Sequence, residues 1–142
     1  MRFALLLFAV TAAVMTPPVN TLDQETLKSY LENGAPFDFI LLDVRGADEI
    51  SNAIGNSACK PYNLVWPEQF KEVSAKIPKD KAVIVYCRSG ARAARAAAYL
   101  DAAGYTSVYN AGGILTWTGP TVLPSEIKPF SLLPEPSCKS RQ

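Results

Sequence analysis

The 142-residue chain contains no histidine. That absence removes Ser-His-Asp and Cys-His catalytic sites, zinc-protease centres and proton transfer by imidazole. Cysteine is scarce too, with only Cys59, Cys87 and Cys138. Three dispersed cysteines without histidine do not make a zinc site, so no metal is expected. An excess of one charge is also lacking: fourteen Lys and Arg stand against thirteen Asp and Glu. With no run of like charge, nothing points to a nucleic acid or an acidic partner. A thiol catalyst in this chain has only arginines and backbone dipoles to activate it.

Long apolar runs are confined to the start. Arg2 precedes Phe3–Met15, which carries no charge, and Thr11, Ala12 and Ala13 supply small residues before Thr16-Pro17-Pro18. This pattern predicts a secretory signal peptide over residues 1–16, shorter than the roughly 20 residues of a membrane span. An exported chain, periplasmic or secreted, is therefore expected, without stable membrane association once the signal is removed. The remainder divides into a domain over 17–118 and a Pro-rich tail over 119–142, punctuated by Pro120, Pro124, Pro129, Pro134 and Pro136. No regular element is expected to run through that tail, although Ile127, Phe130, Leu132 and Leu133 could strap it across the domain. In an oxidising compartment cysteines tend to pair, and three is an odd number. Two arrangements stay open: Cys59 bonded to Cys138 with Cys87 reactive, or Cys59 as a reversible partner of Cys87.

What is present converges on residues 81–95. Ala82–Tyr86 is a short apolar run rich in β-branched residues, which reads as a buried parallel strand. Cys87 follows, then Arg88-Ser89-Gly90, then an Ala-rich stretch from Ala91 to Ala103 that predicts a helix. A thiol at a strand end facing a helix N-terminus meets unpaired N–H groups and a partial positive charge. With Arg88 and Arg92 alongside, that field favours a thiolate and makes Cys87 the candidate nucleophile.

The rest alternates helix and strand. Asp23 predicts an N-cap for a helix over residues 24–32, closed by Asn33-Gly34. Phe39–Leu42 predicts a second buried strand, ending at Asp43, with a helical turn over residues 46–51. A brief strand is expected at Ser57–Cys59, and a helix from Pro67 to about Lys76 with Phe70, Val73 and Ile77 inward. Ser107–Tyr109 predicts a short strand, Ala111–Gly113 a turn and Ile114–Trp117 a last helical turn. Such alternation implies an α/β fold, a central parallel sheet with helices on both faces. Ligands in such sheets bind at the carboxyl ends of the strands, where Asp43 and Cys87 both fall.

Cys87-Arg88-Ser89-Gly90-Ala91-Arg92 resembles the active loop of single-domain rhodanese-like sulfurtransferases. Leu42-Asp43-Val44-Arg45 is similar to that family's strand-end Asp-Val-Arg, and Glu49-Ile50 to its Glu-aromatic pair in weakened form. Gly104-Tyr105, Val108–Ile114 and Trp117 are similar to its closing Gly-Gly and Trp pattern, so the likeness runs from about Asp23 to Trp117. The resemblance implies a rhodanese-like fold and Cys87 as the sulfur carrier, with no metal or organic cofactor. It further implies a substrate-binding cradle of backbone N–H groups over Arg88, Ser89, Gly90, Ala91 and Arg92, with Asp43 and Arg45 in support. The expected substrates are a small anionic sulfur donor such as thiosulfate and a thiophilic acceptor. The chain departs from the family at Asn52-Ala53-Ile54, which stands where Gly-His-Ile is usual.

Other chemistries share parts of this pattern. A Cys-loop phosphatase or arsenate reductase spaces Cys and Arg by five intervening residues, and Arg92 comes one residue early. A thiol-disulfide oxidoreductase would carry Cys at position 90, which is Gly. A non-catalytic binding domain of this fold would be expected to lose the Cys or the arginines.

Overall fold

The computed structural model describes residues 20–141; the expected signal peptide lies outside them. Five parallel strands form the central sheet: β1 (Asn20–Thr21), β2 (Phe39–Asp43), β4 (Tyr62–Asn63), β5 (Ala82–Cys87) and β6 (Val108–Gly113). Their order is β1-β6-β5-β2-β4. A separate two-stranded antiparallel ribbon joins β3 (Ala53–Ile54) to β7 (Thr121–Val122).

The continuous apolar runs are buried on both sides, as a parallel sheet requires. All of β2 is buried, as is β5 from Val83 onward. Alternation then sorts the side chains between two faces. Ile40, Leu42, Val83, Val85 and Cys87 pack with α3 (Ala91–Ala102) and Phe70 of α2 (Phe70–Val73). Phe39, Leu41, Ile84 and Tyr86 pack on the other face with Leu27 and Leu31 of α1 (Gln24–Asn33). In α3, Ala93, Ala96 and Ala97 turn their small side chains inward and let the helix approach the sheet. Asp23 caps α1 by accepting from the Glu25 N–H at 2.7 Å, and Gly34, at φ 85°, closes it.

Several boundaries differ from expectation. The strand expected at Ser57–Cys59 is a turn closed by an Asn56–Cys59 bridge, and the true strands flank it as β3 and β4. The helix expected from Pro67 shrinks to Phe70–Val73 followed by a 3-10 turn over Ser74–Lys76. Its expected first turn is a non-helical turn over 66–69, in which Gln69 Oε1 accepts from the Val65 N–H at 2.8 Å. The expected turn at Ala111–Gly113 is instead the end of β6, held in register where Gly113 faces Cys87.

The Pro-rich tail is docked. Ser137 Oγ accepts from the Leu41 N–H at 2.8 Å, and Tyr62 donates its hydroxyl to the Glu135 carbonyl at 2.6 Å. Cys138 bridges Phe39 and forms a disulfide with Cys59 across 79 residues of chain. Of the two cysteine arrangements left open above, the first is the one found; Cys87 is free. Among the described residues no helix is long and apolar enough to cross a membrane.

Candidate active site

Cys87 ends β5 at the carboxyl edge of the sheet, with 1% of its surface exposed. The chain then turns through Arg88 and Ser89, both exposed, into α3. Gly90 occupies the N-cap at φ 106°, a left-handed conformation that L side chains rarely adopt. This turn brings the Gly90 N–H to 2.9 Å from Cys87 Sγ. The sulfur therefore sits against a main-chain donor at the positive end of a twelve-residue helix. Of the amides expected to form a cradle, Gly90 is the one that reaches Sγ here. The far side of the loop is tied to the 3-10 turn Ile114–Thr116 that follows β6, since Leu115 donates its N–H to the Arg88 carbonyl at 3.1 Å.

Asp43 and Arg45 do not line an open mouth. Asp43 is fully buried and Arg45 nearly so, and their side chains pair at 2.6 Å with further bonds at 3.0 and 3.1 Å. Burial disfavours the charged guanidinium, but the hydrogen bonds and charge of Asp43 outweigh it and raise the Arg45 pKa. Arg45 also reaches the Asn52 carbonyl at 2.8 Å and lies 5.9 Å from the centre of the Tyr86 ring. Tyr86 in turn accepts the Ile54 N–H at 2.9 Å through its hydroxyl, and burial followed by the Asp43 charge pushes its pKa well up. These bonds hold residues 44–54 in one arrangement, including Asn52-Ala53-Ile54.

That segment delivers Glu49 to the loop. Its carboxylate accepts two hydrogen bonds from Arg92, at 2.7 and 2.8 Å, and a third from the Gly46 N–H at 2.9 Å. Together these bonds bring the Glu49 pKa down to about 2, the Arg92 contacts being the largest cause. The same pairing raises Arg92. Arg88 has no ion-pair partner among the described residues.

Two features were missed from the sequence. In the sequence Glu49 stands only as part of a motif, and its pairing with Arg92 spans 43 residues that no local pattern connects. The second is a cavity of about 450 Å³ at the same end of the sheet, between the Ala47–Glu49 turn and the tail, with Ile50, Asn63, Ile127 and Phe130 in its walls. Its only sequence signal was the apolar content of the tail. Among the described residues no cluster of His, Cys, Asp and Glu could hold a metal ion.

A parallel sheet, a Cys-bearing loop feeding a helix, and the closing Gly-Gly strand together frame the site. The model of the rhodanese-like domain matches residues 23–119. The chain belongs to the rhodanese-like family. A sulfurtransferase from Allochromatium vinosum is 41% identical over 101 residues, covering 70% of this chain and 88% of the relative. Thiosulfate sulfurtransferase 18 from Arabidopsis thaliana is 31% identical over 120 residues, covering 77% and 85%. The solution structure of a rhodanese-like domain from Anabaena sp. superimposes with a TM-score of 0.61 at 26% identity, covering 80% of this chain and 85% of that one. The rhodanese-like fold expected from the sequence is the one observed, and the family is that of sulfurtransferases.

Proposed function

We propose that this rhodanese-like protein is a thiosulfate-type sulfurtransferase that carries sulfane sulfur as a persulfide on Cys87. One observation carries the reading: the free, buried Cys87 sulfur faces the Gly90 N–H at 2.9 Å, at the start of α3. The thiolate attacks the sulfane sulfur of thiosulfate, the sulfur–sulfur bond of the donor breaks, and sulfite leaves with the bonding pair. The resulting persulfide keeps a negative outer sulfur, which loop amides can stabilise without reorganising. An acceptor such as cyanide then takes that outer sulfur and leaves as thiocyanate, returning the thiolate.

The exposed Arg88 supplies a cation for an approaching anionic donor. The naming of the Arabidopsis relative as a thiosulfate sulfurtransferase supports the donor, and no metal or organic cofactor enters either step. Export is part of the same proposal. It is supported by the N-terminal sequence pattern and by the Cys59–Cys138 disulfide, a bond that persists in oxidising compartments.

The test is mass spectrometry after thiosulfate treatment, which should find one added sulfur on Cys87 and none in Cys87→Ser. Thiocyanate release on adding cyanide should vanish in the same variant. Failure to form the adduct, together with hydrolysis of an aryl phosphate, would replace this reading with a phosphatase.

A further inference from the structure

We propose that Glu49 tunes the site's response to donor charge, masking Arg92 and so weakening the hold on a dianion such as thiosulfate relative to a singly charged donor. The inference rests on the sulfur-transfer reading above and concerns which donors that site accepts.

The geometry starts with the loop's two arginines, which do not stand in equal positions. Arg88 is exposed and has no carboxylate partner among the described residues. Arg92 gives both terminal nitrogens to Glu49, a two-pronged contact that occupies the edge by which a guanidinium grips an anion. The Gly46 N–H holds the same carboxylate from behind. Glu49 is therefore fixed in place rather than swinging past the loop.

Charges near the loop then balance. Arg88 and Arg92 contribute two positive charges, while Glu49 and a Cys87 thiolate contribute two negative ones. Asp43 and Arg45 neutralise each other within the core. Asp48, exposed beside Glu49, adds a further negative charge at the rim. Among the described residues of the loop, a dianion meets Arg88 as the arginine without a carboxylate partner, and must either displace Glu49 from Arg92 or share that arginine with a carboxylate. A monoanion needs only Arg88. The two side chains of the pair are 31% and 35% exposed, so solvent can reach the contact and a donor can compete for it. The low pKa of Glu49 means that the mask stays charged throughout the neutral range.

The chemistry is the same for either donor class. With methanethiosulfonate, the thiolate attacks the sulfane sulfur, the sulfur–sulfur bond breaks, and methanesulfinate leaves with the bonding pair. The two charges before the step, one on each reactant, are two after it, one on the persulfide and one on the sulfinate. Thiosulfate and methanethiosulfonate thus form a pair that differs chiefly in one charge.

The experiment measures kcat and KM for both donors with cyanide as acceptor, in the wild type, Glu49→Gln and Glu49→Asp. Unmasking Arg92 in E49Q is expected to lower the thiosulfate KM by about tenfold, the scale of one partly solvated charge contact. The methanethiosulfonate KM should fall by about threefold or less, with kcat for both donors little changed. E49D keeps the charge and should retain the wild-type order of the two donors. An E49Q enzyme whose thiosulfate KM is unchanged or higher would sink the mask, as would equal shifts for both donors. A drop in kcat for both donors, with a lowered melting temperature, would show that Glu49 merely braces the loop. If E49Q does not fold, Glu49→Ala decides by the same readout: a thiosulfate KM that falls more than the methanethiosulfonate KM upholds the proposal, and equal or absent shifts overturn it. Absence of a Cys87 adduct from either donor in the wild type would overturn the sulfur-transfer reading itself, a different result from an adduct with unaltered donor preference.

Discussion

Gly90 presents its main-chain N–H to Cys87 Sγ at 2.9 Å while holding φ at 106°. The contact and the backbone conformation are one fact. The amide points at sulfur because the chain turns left-handed there, and only glycine takes that turn without strain. Gly90→Ala should therefore act first on chemistry. A Cβ at this position lies 3.3 Å from Gly112 Cα, tight but not blocking, so the fold should survive. Loss of one preorganised donor commonly lowers kcat by about 10²-fold or more. Steady-state thiocyanate formation is expected to fall on that scale, while circular dichroism stays native.

Gly113 is a different case. It faces Cys87 across the β5–β6 irregularity, and a Cβ there would overlap the Arg88 carbonyl and the peptide that follows it. Those atoms are backbone and cannot rotate away. Gly113→Ala should destabilise by about 3 kcal/mol or more, at the upper end of overpacking effects. Urea denaturation would register it as a lower midpoint, in contrast to the milder Gly90→Ala.

The buried Asp43–Arg45 pair predicts a large effect of breaking one side alone. Asp43→Asn leaves the Arg45 guanidinium in the core without its counter-charge, a change that costs about 3–5 kcal/mol. Because the pair also fixes the segment carrying Glu49, the thiosulfate KM should shift as well. Chemical denaturation alongside kinetics would separate the two effects. A variant as stable as the wild type would contradict the role assigned to this pair.

The Cys59–Cys138 bond closes a loop of 79 residues. Loop-closure entropy for that length corresponds to about 4 kcal/mol. Cys138→Ser should lose stability on that scale and make the tail a target for limited proteolysis. Persulfide formation on Cys87 is expected to persist, because the tail supplies no atom to the loop's contact with sulfur. Peptide mapping without reductant should find Cys59 joined to Cys138 in both the wild type and Cys87→Ser.

Glu49 gives a pH signature. Its folded value, about 2, lies below the ordinary 4.5. A carboxylate depressed on folding contributes stability that is full above its ordinary value and is lost as pH falls through its folded one. The contact with Arg92 should therefore survive from neutral pH down to about 4.5 and dissolve toward about 2. Carboxyl-carbon NMR should find the Glu49 midpoint near 2, and Arg92→Gln should move it up toward the ordinary range.

Much of this arrangement was legible in the sequence because the decisive signals were local. Ala82–Tyr86 and Phe39–Leu42 are continuous apolar runs, and burial on both faces is the only arrangement that hides them. Cys87, Gly90 and Arg92 lie within six residues, so strand, loop and helix could be placed together. What was illegible depends on contacts distant in sequence. Tyr62–Asn63 is too short to have a period of its own and becomes a strand by pairing with Leu42–Asp43. Pro67 could open a helix by its type, yet it sits in the turn before α2, where Gln69 Oε1 takes the Val65 N–H. Asp43 falls at a strand end as expected, yet its partner Arg45 turns it inward rather than toward substrate. In the tail, Pro spacing ruled out long elements correctly but said nothing about the docking of Ser137 and Cys138 on Phe39.

The sheet's two borders bear on how this chain behaves among its own copies. At one border the exposed partner of β6 is β1, only two residues long. At the other, β4 is flanked by the tail, where Tyr62 bridges Lys128 and the Lys128 N–H reaches the Pro61 carbonyl at 2.9 Å. Unpaired strand borders invite pairing between molecules, and a very short or covered border denies them a template. Segments from opposite ends of the described residues thus finish the two borders of one sheet. A chain trimmed of its tail would uncover the β4 side of the sheet, leaving only the two-residue length of β4 to limit pairing there.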